Sequence, residues 1–275
     1  MNFIDKLAAI VRKNQSRLCI GLDPDPELMP EGTGVLEFNK AIIDATCDLV
    51  CAYKPQFAFY EAMGKEGMDA LRQTIKYIPG HIVIIGDAKR GDIGNTSKAY
   101  ARAIFDDLGC DAATVNPYLG FDSIEPFIAY REKGVFILCR TSNPGAADFQ
   151  SLRCETESGS RALFEVVAQK AAQWNKYGNI GLVVGATSPE ELKQIRQSYP
   201  EVPLLIPGIG AQGGDLALTV RYGADSKGER MIINSSRQII YASRGQDFAA
   251  AARRAALALR DEINRTLTSL QKGLE

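Results

Sequence analysis

Residues 82–92 read IVIIGDAKRGD, in which four apolar residues are followed by a glycine and then by charged residues. A continuous apolar run of this kind is typical of a strand that is buried on both faces of a parallel sheet. The same pattern, an apolar run that ends in glycine or polar residues, occurs eight times. The eight apolar runs span residues 18–22, 52–57, 82–85, 112–115, 135–139, 180–184, 203–206 and 231–233.

Segments with apolar residues at helical spacing lie between these runs, for example at residues 34–50, 97–108 and 161–174, and one more follows the last run at residues 248–270. Eight strands that alternate with about eight helices predict a (β/α)8 TIM barrel, whereas an open doubly wound sheet usually has fewer strands. Residues 1–14 form an amphipathic segment before the first strand, and we expect this helix to cover the barrel bottom. The whole chain, residues 1–275, is predicted to be a single domain.

Composition excludes several classes of protein. The hydrophobic fraction of 45% is too high for a disordered chain, and 32 basic against 33 acidic residues give no general attraction to nucleic acid or anionic membranes. Six cysteines without a CxxC pair indicate a reducing compartment, and a single histidine, His81, excludes a multi-histidine metal centre. With no targeting segment and no apolar run long enough for a membrane span, we expect a soluble, cytoplasmic protein.

Charged residues occur where the predicted strands end, which is where barrels of this type place their chemistry. Lys54 lies within an apolar run, so it needs a carboxylate partner or a shifted pKa. Asp87 and Lys89 are two residues apart and would face the same side of a strand. We interpret the three as a catalytic charge array, and a purely structural ion-pair network is the alternative.

A glycine-rich segment follows the seventh run. Residues 208–213 read GIGAQG and formally match a dinucleotide motif, but the next strand ends in Asn234 and two serines, where that motif would require an acid. Because loops after strands seven and eight of such barrels often bind phosphate, we predict a phosphate site here, to which Arg237 adds a guanidinium. Tight-turn geometry is the alternative reason for these glycines.

Several motifs together resemble the orotidine 5′-phosphate decarboxylase family, and in particular its longer bacterial subgroup. The most specific is DAKRGD at residues 87–92, which matches the D-x-K-x-x-D motif of that family. Further similar stretches are GLDP at 21–24, KP at 54–55, TSNPG at 141–145 and PGIGAQ at 207–212. The resemblance covers nearly the whole chain. It implies decarboxylation of orotidine 5′-monophosphate to UMP in pyrimidine biosynthesis, with no metal and no cofactor.

The resemblance also implies roles for individual residues. Lys54, Asp87, Lys89 and Asp92 would form an alternating Lys-Asp-Lys-Asp array, in which Lys89 protonates C6 of the pyrimidine. Asp92 and Thr96 would reach the ribose bound by the neighbouring subunit of a homodimer. The implied substrate-binding residues are Asp23 and Lys54 at the ribose, Ser142 at the pyrimidine edge, Gln212 and Arg237 at the phosphate, and Asn116, Gly210 and Gly213.

Two other functions remain open from the sequence. Mg²⁺-dependent sugar-phosphate decarboxylases and aldolases of the same superfamily share the D-x-K-x-x-D motif. However, a metal site would favour an acidic residue at the end of strand two, where Lys54 stands. A non-catalytic barrel that binds a phosphorylated ligand is the second alternative.

Overall fold

The computed structural model describes residues 1–157, 159–210 and 213–272. Ten strands lie within these ranges, and eight of them close into a parallel barrel in the order β1-β10-β9-β8-β5-β4-β3-β2. The strands are β1 (Leu18–Leu22), β2 (Ala52–Pro55), β3 (Val83–Arg90), β4 (Ala112–Val115), β5 (Gly134–Arg140), β6 (Arg153–Thr156), β7 (Gly159–Ala162), β8 (Ile180–Val184), β9 (Leu204–Pro207) and β10 (Met231–Ser235). All eight predicted runs are barrel strands, which confirms the predicted TIM barrel.

Helices surround the barrel and alternate with its strands. They are α1 (Phe3–Asn14), α2 (Val35–Thr46), α3 (Phe57–Ala62), α4 (Gly64–Tyr77), α5 (Gly94–Arg102), α6 (Phe121–Ile128), α7 (Leu163–Trp174), α8 (Pro189–Ser198), α9 (Leu216–Gly223), α10 (Arg237–Ile240) and α11 (Phe248–Lys272). A π-helical turn over Ala103–Asp107 extends α5, and a 3-10 turn over Pro144–Asp148 follows β5. None of the helices in the described ranges has both the length and the apolar character that a bilayer span requires.

The N-terminal helix α1 closes the barrel bottom, as predicted. Its buried apolar face includes Phe3, whose ring packs edge-on against Phe136 of β5 at a centroid distance of 5.6 Å. Lys6 pairs with Asp111, one residue before β4, at 2.7 Å. Because parallel strands begin at the bottom, these contacts leave the carboxyl ends of the strands free to form the site.

Strands β6 and β7 form an antiparallel hairpin outside the barrel, between β5 and α7. The helix predicted over residues 161–174 therefore begins later, at Leu163, because Arg161 and Ala162 pair with β6. The barrel strands themselves are almost wholly buried: every residue of β1, β2, β4, β8 and β10 is buried. This explains their near-continuous apolar sequences.

Candidate active site

Asp87 is the centre of a buried ionic network at the carboxyl end of β3. Its Oδ2 accepts a hydrogen bond from Lys54 Nζ at 2.6 Å, and its Oδ1 accepts one from Lys89 Nζ at 2.6 Å. Lys54 reaches Asp87 because β2 runs parallel to β3, so both strands end at the same edge. The three residues that the sequence placed in one array are therefore in direct contact.

Burial makes this network electrostatically strong. Lys54 and Asp87 are each only 5% exposed. Burial alone would lower the pKa of Lys54, but the carboxylates of Asp87 and Asp23 outweigh it and raise the pKa above its usual value. Burial alone would raise the pKa of Asp87, but the two ammonium groups outweigh it and hold the pKa well below its usual range. Lys54 and Asp87 are consequently both charged at neutral pH.

Two neutral side chains that the sequence reasoning missed complete the shell around Asp87. Gln56 Nε2 donates to Oδ2 at 3.1 Å, and Thr114 Oγ1 of β4 donates to Oδ1 at 2.8 Å. Each carboxylate oxygen thus accepts one bond from an ammonium and one from a neutral donor. Gln56 follows Lys54 by two residues, so the period of a strand gives a weak signal for it.

Lys89 has an unusual backbone conformation, with φ of 48° in the left-handed region. For a residue other than glycine this conformation is strained, at a cost of about 1–3 kcal/mol. The β3–β4 register shifts between Gly86 and Arg90, so Lys89 lies in an irregular part of the pairing. Its side chain is 44% exposed, which leaves the ammonium accessible from the mouth of the barrel.

The network lines a cavity of about 410 Å³ at the mouth. Thr141, Ser142 and Asn143 line it from the segment that follows β5, as does Gln150 from the next loop. Its apolar lining consists of Leu138, Val183, Leu205 and Pro207. A cavity that combines apolar walls with a few charged, amide and hydroxyl groups is typical of a binding site for a small polar molecule.

Gln150 is a further residue that sequence reasoning missed. Its Oε1 accepts the backbone N–H of Thr141 at 2.8 Å, and its Nε2 donates to the Thr141 hydroxyl at 2.8 Å. The side-chain amide therefore fastens the segment that carries Ser142. Gln150 belongs to none of the motifs or strand ends that the sequence marked, so no pattern pointed to it.

A smaller cavity of about 130 Å³ adjoins the first and shares Pro207 with it. Asp23, Arg237 and Gln238 contribute to its lining, together with Gly208. Asp23 Oδ1 and Asn234 Oδ1 are buried there without a hydrogen-bond partner among the described residues. The two cavities thus lie on either side of Pro207, with the ionic network in the larger one and Arg237 in the smaller one.

The glycine-rich loop next to Arg237 has left-handed backbone at two predicted positions, Gly210 (φ 86°) and Gly213 (φ 78°). Gly213 N–H donates to the Gly210 carbonyl at 2.9 Å. A side chain at Gly210 would also collide with the Gln238 amide. Backbone conformation and close packing are therefore reasons for glycine at the described positions of this loop. Gln212, predicted to hold phosphate, lies outside the described residues.

Five predicted residues that the structure describes do not line either cavity, namely Asp92, Thr96, Asn116, Gly210 and Gly213. Asp92 accepts the N–H of Ile93 at 2.8 Å in the loop after β3, and Thr96 is exposed in the first turn of α5. Asn116 is exposed after β4, and its side chain accepts the N–H of Tyr118 at 3.0 Å. Asn116 thus shapes a turn, and its predicted contact with substrate stays a prediction.

No cluster of three or more His, Cys, Asp or Glu side chains suited to a metal ion occurs in the part of the chain that the structure describes. Lys54 and Lys89 occupy both sides of Asp87, where additional metal ligands would otherwise stand. The residues present therefore do not resemble the carboxylate set that Mg²⁺ prefers.

Fold and site together define a (β/α)8 barrel protein with a Lys-Asp-Lys network at the carboxyl ends of its strands. The model of the orotidine 5'-phosphate decarboxylase / HUMPS family matches residues 16–255, and the chain belongs to this family.

Individual relatives agree with this assignment. The chain is 59% identical over 264 residues to an orotidine 5'-phosphate decarboxylase of Dehalococcoides mccartyi, covering 96% of this chain and 98% of that relative. The structure of Leishmania donovani OMP decarboxylase is similar, with a TM-score of 0.84 and 40% identity over 97% of this chain and 98% of that one. A Toxoplasma gondii structure gives a TM-score of 0.90 at 35% identity, covering 100% of this chain and 99% of that one.

Proposed function

We propose that the chain, as one domain over residues 1–275, decarboxylates orotidine 5′-monophosphate to UMP without a metal or cofactor. The observation that carries this proposal is the buried Lys54–Asp87–Lys89 network, which lines a cavity suited to a pyrimidine. Family membership and the relatives named as decarboxylases support the same activity. The product places the reaction in pyrimidine biosynthesis.

The chemistry requires stabilisation of negative charge at C6. The bond between C6 and its carboxylate breaks, CO2 leaves, and the electron pair stays in an sp² orbital that does not delocalise into the ring. The Lys89 ammonium opposes this charge and then transfers its proton to C6, so that a new C–H bond forms. Water afterwards returns a proton to the Lys89 amine.

Asp87 serves to hold the Lys89 ammonium in position. The 2.6 Å contact between Lys89 Nζ and Asp87 Oδ1 fixes this group beside the carboxylate. The same carboxylate would lie close to the carboxylate of the substrate, and this repulsion would be relieved when CO2 leaves. Lys54 offsets the buried charge of Asp87 both before and after CO2 leaves.

The two adjoining cavities suggest how the substrate binds. The pyrimidine would occupy the larger cavity with its edge at Ser142, and the phosphate would occupy the smaller one at Arg237. Gly210, Gln212 and Gly213 of the glycine-rich loop would be its further partners, as the family resemblance implies. The ribose would span the region between them, within reach of Asp23 and Lys54. Binding energy from the phosphate then contributes to ordering the site around the reacting carbon.

The first test is the ultraviolet absorbance of orotidine 5′-monophosphate mixed with the protein in EDTA. A fall that matches conversion to UMP would support metal-free decarboxylation. Lys89→Ala should abolish this change and retain UMP binding, with Lys98→Ala on α5 as a matched surface control. Activity that appears only with Mg²⁺ would favour the sugar-phosphate enzymes, and UMP binding without any turnover would favour a non-catalytic barrel.

We further propose a cytoplasmic homodimer with shared sites. Ile93, which follows Asp92, is exposed, and so are Tyr118 and Leu119 after the neighbouring strand β4. A second copy packed on this surface would cover these side chains and bring Asp92 to the partner's ribose.

Mixing two inactive variants tests the shared site. Random exchange of Lys89→Ala and Asp92→Ala subunits makes half of the dimers mixed, each with one complete site, so about a quarter of wild-type activity should return. Each variant incubated alone is the control. If mixed dimers form, as shown by mass spectrometry of differently tagged subunits, and no activity returns, the shared site is wrong.

A further inference from the structure

Thr114 connects the two catalytic members of the network through one hydroxyl. This side chain is buried in β4, where its Oγ1 donates to Asp87 Oδ1 at 2.8 Å and accepts the backbone N–H of Lys89 at 3.0 Å. The direction of both bonds is fixed, because an ionised carboxylate only accepts and an amide N–H only donates. The hydroxyl is therefore held from both sides and has one orientation.

The hydrogen bond from the Lys89 N–H to Thr114 takes the place of a backbone hydrogen bond between β3 and β4. The β3–β4 pairing is regular at Gly86, shifts, and resumes at Arg90. Between these residues Lys89 adopts its left-handed conformation, and its N–H donates to the Thr114 side chain. Strained conformations of this kind persist only where the surroundings fix them. The Thr114 hydroxyl is the group that meets this N–H.

This conformation determines where the Lys89 ammonium lies. Thr114 accepts a hydrogen bond from the backbone N–H of Lys89 and donates one to Oδ1 of Asp87. Both residues of the Lys89–Asp87 ion pair are therefore hydrogen-bonded to Thr114. A change in the Lys89 backbone would move Nζ relative to the reacting carbon. A displacement of about 1 Å at a catalytic group is enough to lower a rate by about 100-fold.

We propose that Thr114 is a positioning residue for the reaction, which fixes the Lys89 ammonium for proton transfer by joining its backbone to Asp87. This inference rests on the decarboxylase activity proposed above. A hydroxyl that only stabilised the barrel would give a different result, because its loss would lower stability without a specific effect on turnover.

The test compares Thr114→Val, which keeps the shape and removes the hydroxyl, with Thr114→Ser, which keeps the hydroxyl. Thr74→Val is the matched control, since Thr74 is also fully buried and its Oγ1 accepts a bond from Asn39 Nδ2 at 3.0 Å, outside both cavities. For each variant kcat and KM for orotidine 5′-monophosphate, Kd for UMP and the melting temperature are measured.

Thr114→Val should lower kcat by about 10- to 100-fold, with KM and the Kd for UMP changed by less than about threefold. Thr114→Ser should restore kcat to within about threefold of wild type, and Thr74→Val should lower only the melting temperature. If Thr114→Val does not fold, Thr114→Ala replaces it in the same comparison.

Three results would overturn the inference: wild-type kcat in the valine variant, equal losses in the valine and serine variants, or a comparable kcat loss in Thr74→Val. Wild-type protein measured in parallel separates this inference from the proposed function. If the wild type does not decarboxylate, the proposed function fails and the role of Thr114 fails with it. If the wild type is active, the variants alone decide the role of Thr114.

Discussion

Replacing Lys54 by methionine removes one end of a buried ion pair, and Asp87 is left as a buried carboxylate. Breaking a buried pair in this way costs about 3–5 kcal/mol of the free energy of unfolding. Asp87 keeps Lys89, Gln56 and Thr114 as donors, and Lys89 is partly exposed. We therefore expect the lower end of the range, about 3 kcal/mol.

A second substitution shows whether this loss comes from the charge. Lys54→Met combined with Asp87→Val removes both buried charges, and exchanging a buried pair for apolar residues is often neutral or stabilising. The Thr114 hydroxyl then loses its acceptor, at a cost of about 1 kcal/mol. The double variant should consequently lie within about 1 kcal/mol of wild type, about 2 kcal/mol above the single variant. Neither variant should decarboxylate.

Urea titration at one protein concentration measures these differences. Far-ultraviolet circular dichroism follows the helices, and fluorescence follows Trp174, the single tryptophan, which packs against Phe121 at 5.5 Å. Coincident transitions with unchanged m-values allow the midpoints to be converted into free energies. A double variant that is no more stable than Lys54→Met would refute the reasoning, because the cost would then come from lost packing and not from unpaired charge.

Three further predictions concern pH, thiols and the glycine-rich loop. The two lysines hold the pKa of Asp87 low in the folded state, so ionised Asp87 contributes its full stabilisation above the pKa of an unfolded aspartate, about 3.9, and this contribution is lost as the pH falls below that value. The urea midpoint of Asp87→Asn should therefore fall less steeply than that of wild type between pH 5 and pH 3, and an equal slope would contradict this. Burial raises the pKa of three of the thiols to about 12, so Ellman's reagent should label only the partly exposed Cys47 and Cys154 in native protein and all six cysteines in denaturant; rapid labelling of more than two native thiols would count against the buried packing. Gly210→Ala should weaken UMP binding by about 10-fold or more, because its backbone is left-handed and the new Cβ meets Gln238. Calorimetry checks this, with Gly80→Ala as the control because a Cβ there meets no other atom, and unchanged affinity would show that the loop tolerates the change.

The barrel was predictable because its strands are buried on both faces, which leaves a continuous apolar signal in the sequence. The carboxyl ends of the strands converge in such a barrel, so the grouping of Lys54, Asp87 and Lys89 could also be predicted, although a sequence shows no contacts. The hairpin β6–β7 escaped prediction because its strands are short and largely exposed, so apolar periodicity carries no signal there. Because of this hairpin, α7 begins at Leu163 and not at residue 161 as predicted.

Within the site, the sequence reasoning missed the neutral groups for a physical reason. Thr114 lies in an apolar β4 run, where threonine is equally well explained as a strand-forming residue. Its role depends on the left-handed backbone of Lys89, and a lysine gives no indication of that conformation in advance. Polar groups whose function depends on irregular backbone therefore become visible only in three dimensions.

The position of α1 has a practical consequence for handling the protein. Met1 is exposed, and α1 is fastened to the barrel bottom by Phe3 and Lys6, at the opposite end from the mouth. An affinity tag or a surface attachment joined at the N-terminus would therefore point away from both cavities. In protein immobilised in this orientation, the barrel mouth of each molecule faces the solution, which suits surface-based binding measurements with UMP.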